Sequence, residues 1–200
     1  MTYTTREEWL SAAISLFHPH FERLNAPLPG KIRVTCGFPS KSALSRKNRR
    51  IGECWSPKAS ADSTTEIMIS PTLGQDRVEI LGVLAHELCH AAVGLDAGHK
   101  GPFKRLATSL KLEGKMAATK VGDAFKLHFA ESMLTTLGPY PHGPLNPSQK
   151  EAKKQSTRML KCVCPDCGYT VRTTAKWLDD IGPPFCPDGM VKMELEITKS

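Results

Sequence analysis

His86-Glu87-Leu88-Cys89-His90 lies inside the apolar run that begins at Ile80, and its reading decides how the rest of the chain is understood. Residues four apart on a helix share one face, so His86 and His90 aim at the same point. Two imidazoles placed this way can hold Zn²⁺, with Glu87 beside them to take a proton from a metal-activated water. Residues 76–96 read as this active helix. Ile80, Leu81, Leu84, Leu88 and Leu95 give it a buried face, and Gly94 and Gly98 loosen its end. Cys89 sits about 100° round from His90, next to Leu88, and reads as a small buried thiol.

A catalytic zinc needs a third ligand and an open fourth position. His18, His20, His128 and His142 are remote in sequence, whereas His99 follows His90 after eight residues. Leu95-Asp96-Ala97-Gly98 can turn the chain back and bring His99 round to the metal. Three neutral imidazoles then leave room for water. Glu87 accepts the proton as that water attacks a carbonyl carbon, and hands it on to the leaving amine.

Outward from the motif, Thr5-Arg6-Glu7-Glu8 has capping-box form. Trp9, Ala12, Ala13, Leu16 and Phe17 repeat at helical spacing, predicting an amphipathic helix over 6–24 that Pro27, Pro29 and Gly30 end. Lys31 to Cys36 alternates polar and apolar residues as a half-buried strand does, and Ile51–Trp55 and Glu66–Ser70 read as two more. The stretch Ile67 to Ser70 is either a sheet edge that holds an extended substrate or a plain core strand. Helices are expected near 101–112 and 123–136. Gly138 to Pro144 breaks all regularity and reads as the start of a linker, 138–159, with a basic stretch at 150–161.

Two hundred residues with 40% hydrophobic and 24% charged content describe a soluble globular chain. No run approaches the roughly 20 apolar residues that span a bilayer. Arg6, Glu7 and Glu8 near the start do not suit a secretory signal, so a cytoplasmic location is expected, and a monomer. Seven cysteines in that setting point to metal binding or buried thiols rather than disulfides.

Cys164-Pro165-Asp166-Cys167-Gly168 is a zinc knuckle, with Gly168 permitting its tight turn. Cys186-Pro187-Asp188-Gly189 nearly repeats it, but Gly189 stands where the fourth cysteine belongs. Cys162 is the best substitute, being able to share a strand face with Cys164, and Asp188 is the alternative. A structural zinc there would hold residues 160–197 folded, since so short a segment has little core.

The formal net charge of +7 favours a polyanionic partner. Lys41, Arg46, Lys47, Arg49 and Arg50 form one cationic group, Lys150, Lys153, Lys154, Arg158 and Lys161 a second, and Arg172 and Lys176 a third. Tyr169 and Trp177 near the last group offer rings for stacking on unpaired bases. Sequence-independent contact with DNA, above all single-stranded DNA, through Arg46, Lys47, Arg49, Arg50 and Arg172 is expected. A solvated basic face is the plainer reading of any one cluster.

Taken together, Gly52-Glu53-Cys54-Trp55, the strand Glu66–Ser70 before Pro71, His86 to His90, Gly98-His99-Lys100-Gly101-Pro102-Phe103 and the cysteine module resemble the SprT-like zinc metalloprotease family. That family includes the Spartan proteases, and the small size is similar to bacterial or bacteriophage members, for which the location is nucleoid-associated or the host cytoplasm. The resemblance implies an α+β fold: a zincin-like domain over 1–137, with helices on a small, mainly antiparallel sheet, and a C-terminal zinc ribbon over 160–200. It implies a zinc endopeptidase with His86, His90 and His99 as ligands and Glu87 as base, acting on DNA-associated or DNA-crosslinked proteins. In that family the ribbon lies against the protease part and helps bind DNA. Two departures stand out: the missing ribbon cysteine and the short chain beyond it. The alternative is a non-catalytic nucleic-acid-binding accessory protein with structural zinc sites.

Overall fold

The Thr5 side chain accepts from the Glu8 backbone while Glu8 reaches back to the Thr5 N–H, closing the capping box and starting α1 (Arg6–Arg23). This helix buries Trp9, Leu10, Ala13, Ile14, Phe17 and Phe21. The buried stripe is rotated from the expected one, because Leu10 and Ile14 enter the core while Ala12 and Leu16 flank it half-buried. The computed structural model describes residues 2–74, 76–147 and 158–196, in an α+β arrangement of small sheets and helices. Among the described residues no helix is long and apolar enough to cross a membrane.

Two compact units divide the chain, Met1–Gln149 and Lys150–Ser200. In the first, β1 (Ile32–Cys36), β2 (Gly52–Trp55) and β3 (Thr65–Ile69) form a sheet in the order β1-β3-β2. The sheet is mixed, since β3 pairs parallel with β1 and antiparallel with β2. Ile67 and Ile69 therefore sit on the central strand, fully buried, and β3 has no free edge to offer a substrate. The strand edge beside the next helix belongs to β2.

That helix, α2 (Arg77–Val93), is capped by Asp76, whose Oδ1 accepts from the N–H groups of Val78 and Glu79. It is shorter than expected. Gly94 ends it, and Leu95 lies in a following 3-10 turn with its side chain 40% exposed, outside the buried face assigned to it. Helix α3 (Pro102–Ser109) comes next.

The hairpin of β4 (Leu112–Lys115) and β5 (Ala118–Val121) has no counterpart among the sequence expectations. The region 123–136 is helical, as its periodicity predicts, but in three parts: α4 (Asp123–Phe125), a π-helical turn over Lys126–Ala130, and α5 (Glu131–Leu137).

Residues 138–147, expected as linker, pack onto the first unit. Arg6, only 9% exposed, donates to the carbonyls of Pro141, Gly143 and Pro71 and lies over the Tyr140 ring. Trp9 and Arg77 both donate to Gly138 O, and Leu145 N donates to Pro71 O. The expected cationic stretch at Lys150, Lys153 and Lys154 lies outside the described residues.

In the second unit β6 (Met159–Val163) is central, with β7 (Thr170–Thr174) and β8 (Glu194–Leu195) antiparallel on either side, and α6 (Ala175–Ile181) follows β7. Its core is Cys162, Cys164, Cys186 and Met193, with Val171, Leu178 and Val191 packed against them.

Candidate functional site

Helix α2 carries His86, Glu87 and His90, and the backbone after it folds back to deliver His99. That return depends on Gly98 (φ 52°) and Gly101 (φ 45°), which flank His99 in left-handed conformations that a side chain would strain. The result is a close cluster: His90 Nε2 lies 3.1 Å from His99 Nε2, which lies 3.3 Å from His86 Nε2. Phe103, fully buried on α3, packs against all three imidazoles, with ring centroids 4.9, 4.4 and 5.0 Å from those of His86, His90 and His99.

Nitrogens held tetrahedrally by zinc at 2.0–2.1 Å stand about 3.3 Å apart, so this trio fits a metal. The ring chemistry agrees. Burial, reinforced by His90 and His99, pushes the His86 pKa down to about 3. Burial, then His99 and Arg50, takes His90 down to about 4. His99 is lowered by burial and then Arg50. Neutral imidazoles offer lone pairs, which is the form a cation needs. His86 Nδ1 lies 2.9 Å from Thr119 Oγ1 on β5. With its Nε2 lone pair given to a bound cation, His86 would carry its proton on Nδ1 and donate to Thr119. His90 Nδ1 is buried with no partner among the described residues.

Glu87 is 6% exposed, beneath β2. Gly52 makes that approach possible: a Cβ there would collide with Glu87 Oε1 and come within 2.8 Å of Val83 Cγ1. Burial pushes the Glu87 carboxyl up to about 8, with Arg50 opposing and Glu53 adding to the rise. A carboxyl poised near neutrality suits proton transfer. Cys89 is fully buried, as expected of a packed thiol.

Arg50 differs from its loop neighbours. Arg46, Lys47, Arg49 and Arg50 are all exposed, but among the described residues the first three form no ion pair, while Arg50 Nη1 contacts Glu53 Oε1 at 2.5 Å. Glu53 also accepts from Ser40 N and Oγ at 2.7 and 2.8 Å. Arg50 is thus committed to the wall of the histidine site and perturbs Glu87, His90 and His99 electrostatically.

In the second unit Cys164, Cys167 and Cys186 form a three-sulfur group, with Cys167 Sγ 3.5 Å from Cys186 Sγ. Cys162 is not part of it. It pairs with Val171 and Leu195 in mid-sheet, and its fully buried side chain belongs to the small core. Asp188 is exposed and also stands outside the group. Arg172 is exposed on β7, and Tyr169 and Trp177 are half-exposed, with Lys176 over the Trp177 ring. Residues 158–196 hold five Lys or Arg against six Asp or Glu, so the positive charge of the chain lies elsewhere.

Thr119, Phe103 and Gly52 are the site residues that motif reading did not assign. Phe103 and Gly52 stood inside stretches already singled out, but Thr119 lies on a hairpin with no sequence signal. No protein-family model, curated protein or solved structure matched the chain in comparison.

Proposed function

We propose that the first unit is a zincin-like, zinc-dependent endopeptidase. The observation that carries this is the convergence of three imidazole Nε2 atoms at 3.1 and 3.3 Å, with buried Glu87 next to His86 in the chain. A zinc ion bound there supplies the Lewis acidity for hydrolysis. The chain's own residues do the rest. His86, His90 and His99 hold the ion, with Thr119 and Phe103 fixing their rings. Glu87 accepts a proton from the attacking water and returns it to the leaving amine. The free edge of β2, beside α2, is where an extended polypeptide would add as a strand.

The substrate class is protein at or near DNA, including crosslinked protein. Exposed Arg46, Lys47 and Arg49 support it as phosphate contacts that read no sequence. Tyr169 and Trp177 are the stacking surfaces for unpaired bases.

The test is cleavage of an unstructured protein by the zinc-loaded chain, with and without single-stranded DNA, beside Glu87→Gln. Cleavage should be raised by DNA and abolished in Glu87→Gln, and charge reversal at Arg46, Lys47 and Arg49 should weaken DNA binding and flatten its salt dependence. Equal, negligible cleavage by wild type and Glu87→Gln, with DNA binding intact, would establish the accessory-protein reading instead.

A further inference from the structure

The two cysteine turns of the second unit are the same backbone device used twice. In the first, Gly168 N donates to Cys164 O at 3.0 Å and Cys164 N donates to Tyr169 O at 2.9 Å. In the second, Met190 N donates to Cys186 O at 2.8 Å and Cys186 N donates to Val191 O at 2.8 Å. The residue closing each turn is left-handed, Gly168 at φ 75° and Met190 at φ 54°. A methionine adopts that conformation only at a cost of about 1 kcal/mol, so the second turn keeps the knuckle geometry against its own local preference.

Superposed by these bonds, Cys164 corresponds to Cys186 and Cys167 to Gly189. The sequences agree, Cys-Pro-Asp-Cys against Cys-Pro-Asp-Gly. Gly189 therefore occupies the backbone position of a fourth ligand while supplying no donor. Three sulfurs remain within 4.8 Å of one another, and zinc thiolates at about 2.3 Å would place them about 3.8 Å apart. Cys164 and Cys186 are buried at 2% and 1% exposure, whereas Cys167 is exposed, so the cluster reaches the surface on the Cys167 side. Neither Cys162 nor Asp188 belongs to it. In the undescribed stretches 148–157 and 197–200, Glu151 is the only His, Cys, Asp or Glu.

We propose that Cys164, Cys167 and Cys186 hold a divalent, thiolate-binding metal whose fourth ligand is exchangeable and comes from outside the ribbon, at the position Gly189 leaves without a side chain. Closed structural zinc sites use four protein ligands, and a site with three keeps one position for water or an incoming donor. The incoming class is a monodentate thiol or imidazole. As a thiol binds, water leaves and the thiol proton passes to solvent. This site is independent of the hydrolytic reading of the first unit.

Cobalt tests it in the full chain. Sulfur-to-cobalt charge transfer counts thiolates, and the histidine site contributes none. Gly189→Cys should absorb about one third more than wild type, four thiolates against three. Titrating 2-mercaptoethanol in the His99→Ala background, which removes the open position of the histidine site, should raise the otherwise wild-type chain to that intensity and leave Gly189→Cys unchanged, at thiol levels that keep cobalt bound. Without added thiol, Cys162→Ala should match wild type in charge transfer and Glu151→Gln should match it in the cobalt d–d bands. The proposal is overturned if the chain without Gly189→Cys gains nothing from the thiol, if Cys162→Ala loses charge-transfer intensity, or if Glu151→Gln shifts the d–d bands. The thiol titration stands even where Gly189→Cys fails to fold.

Discussion

Thr119→Val removes one oxygen and little else, which makes it the sharpest probe of how the histidine cluster is held. Valine keeps the volume and β-branching of threonine, so β5 retains its strand preference. What is lost is the 2.9 Å partner of His86 Nδ1. That N–H is partly buried, and leaving it unmet costs about 1–3 kcal/mol. The imidazole is then free to rotate or to shift its proton to Nε2, the atom that faces the cluster. Loss of an outer partner of a metal-bound histidine typically weakens metal affinity about 10- to 100-fold, and at about 1.4 kcal/mol per decade the two figures agree. Zinc affinity is read by chelator competition on the full chain, the histidine class being the one that disappears in His99→Ala. Thr119→Val should weaken that class alone by one to two decades, and Thr119→Ser should restore it. Unchanged affinity in Thr119→Val would show that Thr119 does not orient His86, and the tautomer argument would fall.

Gly52→Ala should separate metal binding from proton transfer. Its Cβ would collide with Glu87 Oε1, so hydrolysis should fall about tenfold to a hundredfold with zinc content unchanged. Gly82→Ala sets a helix-propensity gain of up to about 1 kcal/mol against collision with the Val121 side chain, an overpacking cost of about 1–3 kcal/mol. A net loss in denaturant stability is expected, recovered when Val121→Ala is added. Glu53 responds to pH with a definite sign. Burial works against its charge, but bonds from Ser40 N–H and Oγ and from Arg50 outweigh it and lower its pKa. The carboxylate therefore stabilises the fold above its unfolded pKa, near 4.3, and that stability is lost as pH falls through the lower folded value. Urea midpoints across the acid range should fall less steeply in Glu53→Gln than in wild type.

The parts of the fold that were legible in the sequence are those written as periodicity or capping. The box at Thr5 and Glu8, the apolar face of α2 and the two-residue alternation of β1 each leave a local pattern, and each element formed within a few residues of its expected range. The histidine trio was legible because α2 fixes two of the imidazoles and paired glycines announce the turn that brings the third. Other features depend on bonds that side-chain patterns do not encode. The β4–β5 hairpin turns without an Asn-Gly or Asp-Gly signal, so nothing local in the sequence marks Thr119. Residues 138–147 look like a linker, yet the guanidinium of Arg6 gathers three distant carbonyls and fastens them. Arg50 reads in the sequence as one more loop cation, and its ion pair with Glu53 is visible only in the fold. Cys162 had the right residue type and spacing, but from its place in mid-sheet its thiol stands outside the group of Cys164, Cys167 and Cys186.

The central claim is that His86, His90 and His99 form a hydrolytic metal centre with Glu87 as its base. Zinc content and peptide-bond cleavage measured on the same samples of wild type, Glu87→Gln and His90→Ala test it most directly. The account predicts that Glu87→Gln keeps the full zinc of wild type without cleaving, while His90→Ala loses one zinc per chain together with all activity. Cleavage that persists in Glu87→Gln, or zinc content unchanged by His90→Ala, would contradict it.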